Sequence, residues 1–175
     1  MVGALAKVEA CIPALRRYAS SLLRSHQDAD DLVHDTLLRA LDKLRSHRGH
    51  DDIRPWLFAI MHNLFISQAR RHRMRQLSEA ASDPTWETAS PGGPEDSLRW
   101  REVLGALRAL PEEQRAVILL VSVEDLSYAE VAQVLGIPIG TVMSRLARGR
   151  ERMRQMTQEQ EAPGQEARPG LRRVK

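Results

Sequence analysis

At 175 residues the chain has room for one medium domain or two small ones, and 42% apolar content is enough for packed cores. Aromatics are only 4% while Ala, Leu, Arg and Glu dominate, which favours an all-α protein over a sandwich or barrel. A formal charge of +3 suits an anionic partner, though weakly, and the lone Cys11 excludes an intramolecular disulfide and a cysteine metal cluster. That cysteine usage fits a cytoplasmic, reducing setting. The start, MVGALAKVEACIPALRRY, has too short an apolar run for a signal peptide, and no stretch reaches the roughly 18 apolar residues that span a membrane.

From about Ala10 to Leu23, Ile12, Leu15, Tyr18, Ala19 and Leu22 recur at helical spacing. Ser25–Asp28 reads as a break and a new helix start, with Asp28, Asp30 and Asp31 in a first turn where the helix dipole favours carboxylates. Val33, Leu37, Ala40, Leu41 and Leu44 carry that helix's apolar face, and His47–Asp52 is a polar loop. A third helix is expected from about Ile53 to Arg75, with Pro55 in its first turn and Leu57, Ile60, Met61 and Leu64 as its stripe. It also holds Trp56, Phe58 and Phe65 and ends in the basic run Arg70–Arg75.

At Ser78 the character changes. Ser78–Ser97 is rich in Ser, Pro, Gly and acid, with no Lys or Arg, so it reads as a flexible linker; the purpose of its Trp86 is not legible. Formal charge divides as +5 over residues 1–77, −5 over 78–97 and +3 over 98–175. An amphipathic helix (Leu98–Leu110) follows, then a helix opened by Pro111 with Val117, Ile118, Leu120 and Val121 inside.

Leu126–Arg150 divides into two short helical patterns around Gly136-Ile137-Pro138. Ser127 and Glu130 form a capping-box signature, Val131, Val134 and Leu135 one buried face, and Gly136 a left-handed helix end. In the second pattern Ile139, Val142 and Leu146 share the inner side, Thr141, Ser144 and Arg148 the opposite one. This describes a helix-turn-helix, and equally an ordinary αα-corner with a solvated charged face. From Thr157 the Gln/Glu/Pro/Gly-rich tail is expected to be disordered. The expected organisation is all-α: two small helical domains (1–77 and 98–156), a flexible linker (78–97) and a tail (157–175).

Three constellations carry chemistry, each with a plainer explanation beside it. Asp28, Asp30, Asp31 and Asp35 are either caps on a solvated face or a docking surface for a basic partner. Arg70–Arg75, following a helix that bears aromatics, is either a favourable cationic helix end or a groove for single-stranded nucleic acid. Arg145, Arg148, Arg150, Arg152 and Arg154 could divide base-edge and phosphate contacts, with Tyr128 donating to a phosphate or lying half-buried. Enzyme chemistry finds little support: His47 and His50 lack further ligands nearby, and GxSxG, P-loop and GxGxxG patterns are absent, so neither metal nor cofactor is expected.

Taken together, the blocks Asp28–Leu44 (DADDLVHDTLLRALDKL), Arg54–Arg75 (RPWLFAIMHNLFISQARRHRMR) and Leu110–Arg154 resemble, in order, those of the bacterial extracytoplasmic-function (ECF) sigma factors. The resemblance implies a core RNA polymerase surface at Asp30, Asp31, Val33, Asp35 and Leu38. It implies −10 promoter contacts from Trp56, His62, Asn63, Arg70, Arg71 and Arg73 around a base flipped from the melted strand. It further implies −35 contacts from Tyr128, Thr141, Ser144, Arg145 and Arg148, with the polymerase clamp, polymerase flap, promoter DNA and an inhibitory anti-sigma factor as partners. Ser67 departs from a frequent Asp, Met143 and Ala147 stand where basic or bulky residues are common, and Gly149 replaces the usual Ala, lowering intrinsic helix stability by about 1 kcal/mol. The alternative is a helix-turn-helix regulator acting without the polymerase, with residues 1–77 for sensing or dimerisation.

Overall fold

A computed structural model describes residues 2–23, 25–44, 52–76 and 94–160. Seven α-helices account for nearly all of them: α1 (Val2–Leu22), α2 (His26–Leu44), α3 (Ile53–Gln76), α4 (Pro94–Ala109), α5 (Glu112–Ile118), α6 (Tyr128–Leu135) and α7 (Ile139–Gln160). A π-helical turn, Leu119–Val123, extends α5. The expected linker falls outside the described residues except for its last four positions, which open α4 with Pro94 in the first turn. The His47–His50 loop, Trp86 and residues 161–175 also lie outside them, and residues 157–160 continue α7 rather than beginning a tail.

Local chemistry accounts for the helix ends. Ser25 Oγ accepts from the Asp28 amide (3.2 Å) before α2, and Asp52 Oδ1 accepts from the Arg54 amide (3.1 Å) before α3. At α6 the capping box forms in full: the Ser127 amide donates to Glu130 Oε2 (2.7 Å) and the Glu130 amide to Ser127 Oγ (3.3 Å). Gly136, at φ 64° and ψ 35°, ends α6, and the Ile137 amide returns to the Ala132 carbonyl (3.1 Å), closing the turn that delivers α7.

Helices α1, α2 and α3 pack together, as do α4 and α5 with α7, and α6 with α7. The two groups also meet, because α3 lies against α6 while α1 touches α5 and the π-helical turn. Buried side chains accordingly form one continuous cluster, running from Leu15, Leu32 and Phe58 to Val117, Val131 and Leu146. Tyr18 and Phe58 anchor its amino-terminal part, ring edge to face at 5.3 Å. Helix α3 buries far more of its circumference than one stripe: Leu57, Phe58, Met61, Leu64 and Phe65 are buried, since helices cover it on two sides. Phe58 and Phe65 therefore belong to the core, and Trp56 is half-buried.

Gly149 has a packing cause. A Cβ there would stand 2.7 Å from Ile118 Cδ1 and 3.3 Å from Gln114 Cβ, so glycine is what lets α7 approach α5 closely. Ile139 departs from its expected inward position and is 49% exposed. It is the first residue of α7, where the packing that covers Val142 and Leu146 does not extend.

Candidate nucleic-acid interface

The outward face of α7 and the start of α6 hold five of the expected residues. Tyr128 and Arg148 are exposed; Thr141, Ser144 and Arg145 are half-buried. Ser144 Oγ donates to the Thr141 carbonyl (3.1 Å), a local bond that a ligand can replace. Arg145 is engaged by Glu113 at 2.6 Å. Further along, Arg150 donates to Ser122 Oγ (3.4 Å), Arg152 to Gln114 Oε1 (3.4 Å), and Arg154 is paired with Glu151 (2.7 Å). Arg148 alone in this block makes no hydrogen bond or ion pair among the described residues. The arginines are thus unequal: most brace α7 on α5 or on itself, and Arg148 is left facing solvent.

On α3, Asn63, Arg70 and Arg71 are exposed, with Ser67 Oγ donating to the Asn63 carbonyl (2.7 Å) and Arg71 Nε to the Ser67 carbonyl (3.3 Å). This places Asn63, Ser67 and Arg71 in a row, one turn apart. The Arg73 side chain lies outside the described residues. His62 faces inward instead, with Nδ1 3.4 Å from the Tyr18 hydroxyl and its ring 6.3 Å from that of Phe65. Burial, then the nearby Arg145 guanidinium, lowers its pKa to about 4, so the imidazole is neutral at physiological pH. The −10 residues implied by the resemblance are therefore divided in this arrangement: Asn63, Arg70 and Arg71 face water, while Trp56 and His62 are partly enclosed.

On α2, Asp30, Asp31 and Asp35 are exposed, loosely held by Arg16 (3.8 Å), Gln27 (3.4 Å) and Gln68 (3.4 Å) respectively. Leu38 and Leu41 stand exposed beside them, an apolar patch rimmed with acid. Val33 does not belong to that surface. Only 4% exposed, it packs into the core, because its position on α2 faces inward with Ala29, Leu32 and Ala40.

Glu124 occupies a position that sequence reasoning missed. It follows the π-helical turn, its amide donating to the Leu119 carbonyl (3.0 Å), and Asp125 after it takes a positive φ of 51°. That geometry turns the carboxylate toward α1 and α3. Arg17 donates to both oxygens (Nε 3.2 Å, Nη2 2.9 Å) and Arg54 Nη2 donates to Oε2 (2.8 Å). The Glu124 side chain is wholly buried, whereas those of Arg17 and Arg54 are 53% and 35% exposed.

Comparison with known proteins gives this geometry its context. The family description "Sigma-70, region 4" matches residues 100–153, and "Sigma2 domain of PhyR" matches residues 8–62. The ECF RNA polymerase sigma factor EcfG of Rhodopseudomonas palustris is 37% identical over 144 residues, covering 82% of this chain and 79% of that relative. The chain belongs to the ECF RNA polymerase sigma factors. RNA polymerase sigma factor YlaC of Bacillus subtilis is 33% identical over 158 residues, 83% of this chain and 91% of the relative. Among solved structures, the sigma factor RpoE of Bartonella quintana, in complex with the anti-sigma factor NepR, superposes with a TM-score of 0.79 at 32% identity, covering 90% of this chain and 98% of that one.

As a member of this family the protein is a DNA-binding sigma factor that directs transcription initiation through core RNA polymerase, and it is not itself an enzyme. A regulator acting without the polymerase is thereby set aside. Among the described residues no helix is long and apolar enough to cross a membrane.

Proposed function

We propose that this sigma factor reads promoters in two halves, residues 1–77 taking the −10 element and residues 98–156 the −35 element. The exposed Asp30, Asp31, Asp35 and Leu38 on α2 dock core polymerase, their acid setting orientation and on-rate against a basic partner and Leu38 adding apolar contact. Asn63, Arg70 and Arg71, with Arg73, hold the backbone of the melted strand, and Trp56 and His62 take part once α3 is uncovered. Helices α6 and α7 act as a helix-turn-helix in the major groove of the −35 element. Arg148 and Ser144 reach base edges, while Thr141, Tyr128 and Arg145 hold the flanking backbone. The opposite side of this half meets the polymerase flap. An anti-sigma factor is a further partner, by analogy with the complex of the Bartonella relative.

The observation that carries this reading is Arg148, the arginine of the α7 block left without a protein partner among the described residues, on the exposed face of the second helix of a capped pair. Two weak readers gain affinity when a large partner holds both in register, so the free chain binds promoter DNA weakly and core polymerase confers specificity. Run-off transcription with core polymerase on fragmented genomic DNA tests it and reveals the promoter. Arg148→Ala is expected to cost roughly 1–3 kcal/mol on a promoter that depends on its upstream element. Tight sequence-specific binding by the free protein, or no promoter-directed RNA, would count against the reading.

A further inference from the structure

The outward face of α7 is asymmetric. At 100° per residue, Gly140, Ser144 and Ala147 occupy its middle, Thr141 and Arg148 one edge, and Met143 with Ile139 the other. The small middle residues let the helix approach a surface closely. Met143 is 53% exposed and Ile139 49%, one turn apart, so together they present a continuous apolar strip to water. No core requirement explains it, because Val142 and Leu146 already supply the buried side.

We infer that Met143, supported by Ile139, is a specificity-determining residue that reads the 5-methyl group of thymine in the upstream promoter element. This rests on the reading of α6–α7 as the −35 reader. In the major groove A·T and T·A pairs carry, beside their hydrogen-bonding groups, a thymine methyl that apolar contact recognises, and residues near the start of the second helix are those that reach base edges. The position of the strip fits both conditions: Ile139 opens α7 and Met143 lies one turn in. Arg148, a turn beyond Ser144 on the polar edge, supplies the positive charge that draws this face to DNA, whereas an apolar protein partner would have no use for a free guanidinium there. The face thus reads a base pair by polar contact along one edge and thymine methyls along the other.

The test uses holoenzyme reconstituted with core polymerase on the promoter found by run-off transcription. Each thymine of the upstream element, on either strand, is replaced singly by deoxyuridine, which lacks only the methyl. At one or two adjacent positions the wild type should lose about fourfold in initiation at limiting holoenzyme. Met143→Ala should show the same loss on thymine DNA and no further loss on deoxyuridine, while Met143→Leu should retain sensitivity. Equal deoxyuridine sensitivity in wild type and Met143→Ala, insensitivity of the wild type at every position, or an upstream element without A·T pairs overturns the inference. Arg148→Ala separates the two levels: if it lowers upstream-dependent transcription, the −35 reading stands whatever becomes of Met143. If it has no effect, that reading itself fails.

Discussion

Glu124 makes the sharpest energetic prediction in the molecule. Its carboxylate is wholly buried and receives three charge-assisted hydrogen bonds, two from Arg17 on α1 and one from Arg54 on α3, at 2.8–3.2 Å. Breaking a buried pair typically costs about 3–5 kcal/mol, much of it from the charge left without a partner. In Glu124→Gln the groups left behind are the arginines. At 53% and 35% exposure they regain water, which brings the expected loss down to about 2–3 kcal/mol. The reverse perturbation is worse. Arg17→Ala combined with Arg54→Ala leaves without its partners a carboxylate that is wholly buried in the native protein, and should cost about 4 kcal/mol or more. The order implies a change of sign: in the double-arginine background, Glu124→Gln should stabilise the protein. Urea unfolding of the four proteins, followed by far-ultraviolet circular dichroism, measures these differences. If Glu124→Gln destabilises both backgrounds equally, the buried-charge argument is wrong and the side chain acts only through packing.

Three further outcomes follow from single residues. Gly149→Ala would gain about 1 kcal/mol of helix propensity but sets a Cβ 2.7 Å from the buried Ile118 Cδ1; overpacking at about 1–3 kcal/mol should outweigh the gain, and a raised melting temperature would show that Ile118 yields. His62 has a folded-state pKa of about 4 against an ordinary 6.5, so the unfolded chain takes up the proton first. Its contribution is complete above about pH 6.5 and is lost as pH falls toward 4, up to roughly 3 kcal/mol, and His62→Gln should flatten unfolding free energy across that window. Cys11 is buried, and burial raises its thiol pKa, so dithionitrobenzoate should react slowly with the native chain and release one thiol equivalent only on opening or unfolding.

What could be read from the sequence was what acts over three or four residues. The Ser127–Glu130 box, the Gly136 helix end and the inward Val131, Val134, Val142 and Leu146 all follow from spacing, because caps and helix faces are local. Gly149 was legible as an anomaly, a poor helix former inside a helix, though its partners Ile118 and Gln114 were not. Beyond that range the signal vanishes. Glu124 lies 107 residues from Arg17 and 70 from Arg54, and a single acid ending the apolar run LLVSVE looks like a solvated helix terminus. The two-sided burial of α3 was hidden likewise, since periodicity shows that a helix is apolar but not how many neighbours cover it. Val33, which spacing places on the apolar face of α2, was assigned to a docking surface by its motif block, and the structure places it in the core. On α7, membership of a stripe did not reveal that Ile139, at the helix start, escapes the packing that covers its neighbours a turn later.

The joint that Glu124 makes with Arg17 and Arg54 bears on how the proposed promoter reader is loaded. Trp56 and His62 are partly enclosed in this arrangement, and α3 is covered by α6. If these two residues meet the melted strand only when α6 has left α3, the Glu124 contacts break as the two halves part. In the open form the carboxylate and both guanidinium groups are hydrated, so these contacts contribute about 2–3 kcal/mol to closure, beside the apolar surface that the two halves bury against each other. That contribution alone lowers apparent affinity for any partner that binds only the open form by about 30- to 150-fold. Glu124→Gln should therefore bind core polymerase more tightly than the wild type, by at least about tenfold in a fluorescence titration, even though it is the less stable protein. Weakened folding with strengthened binding is an unusual pair of signs, and damage to the fold alone would lower both. Equal affinity for the two proteins would mean that the Glu124 joint stays closed when polymerase docks, and that Trp56 and His62 do not have to be uncovered for it.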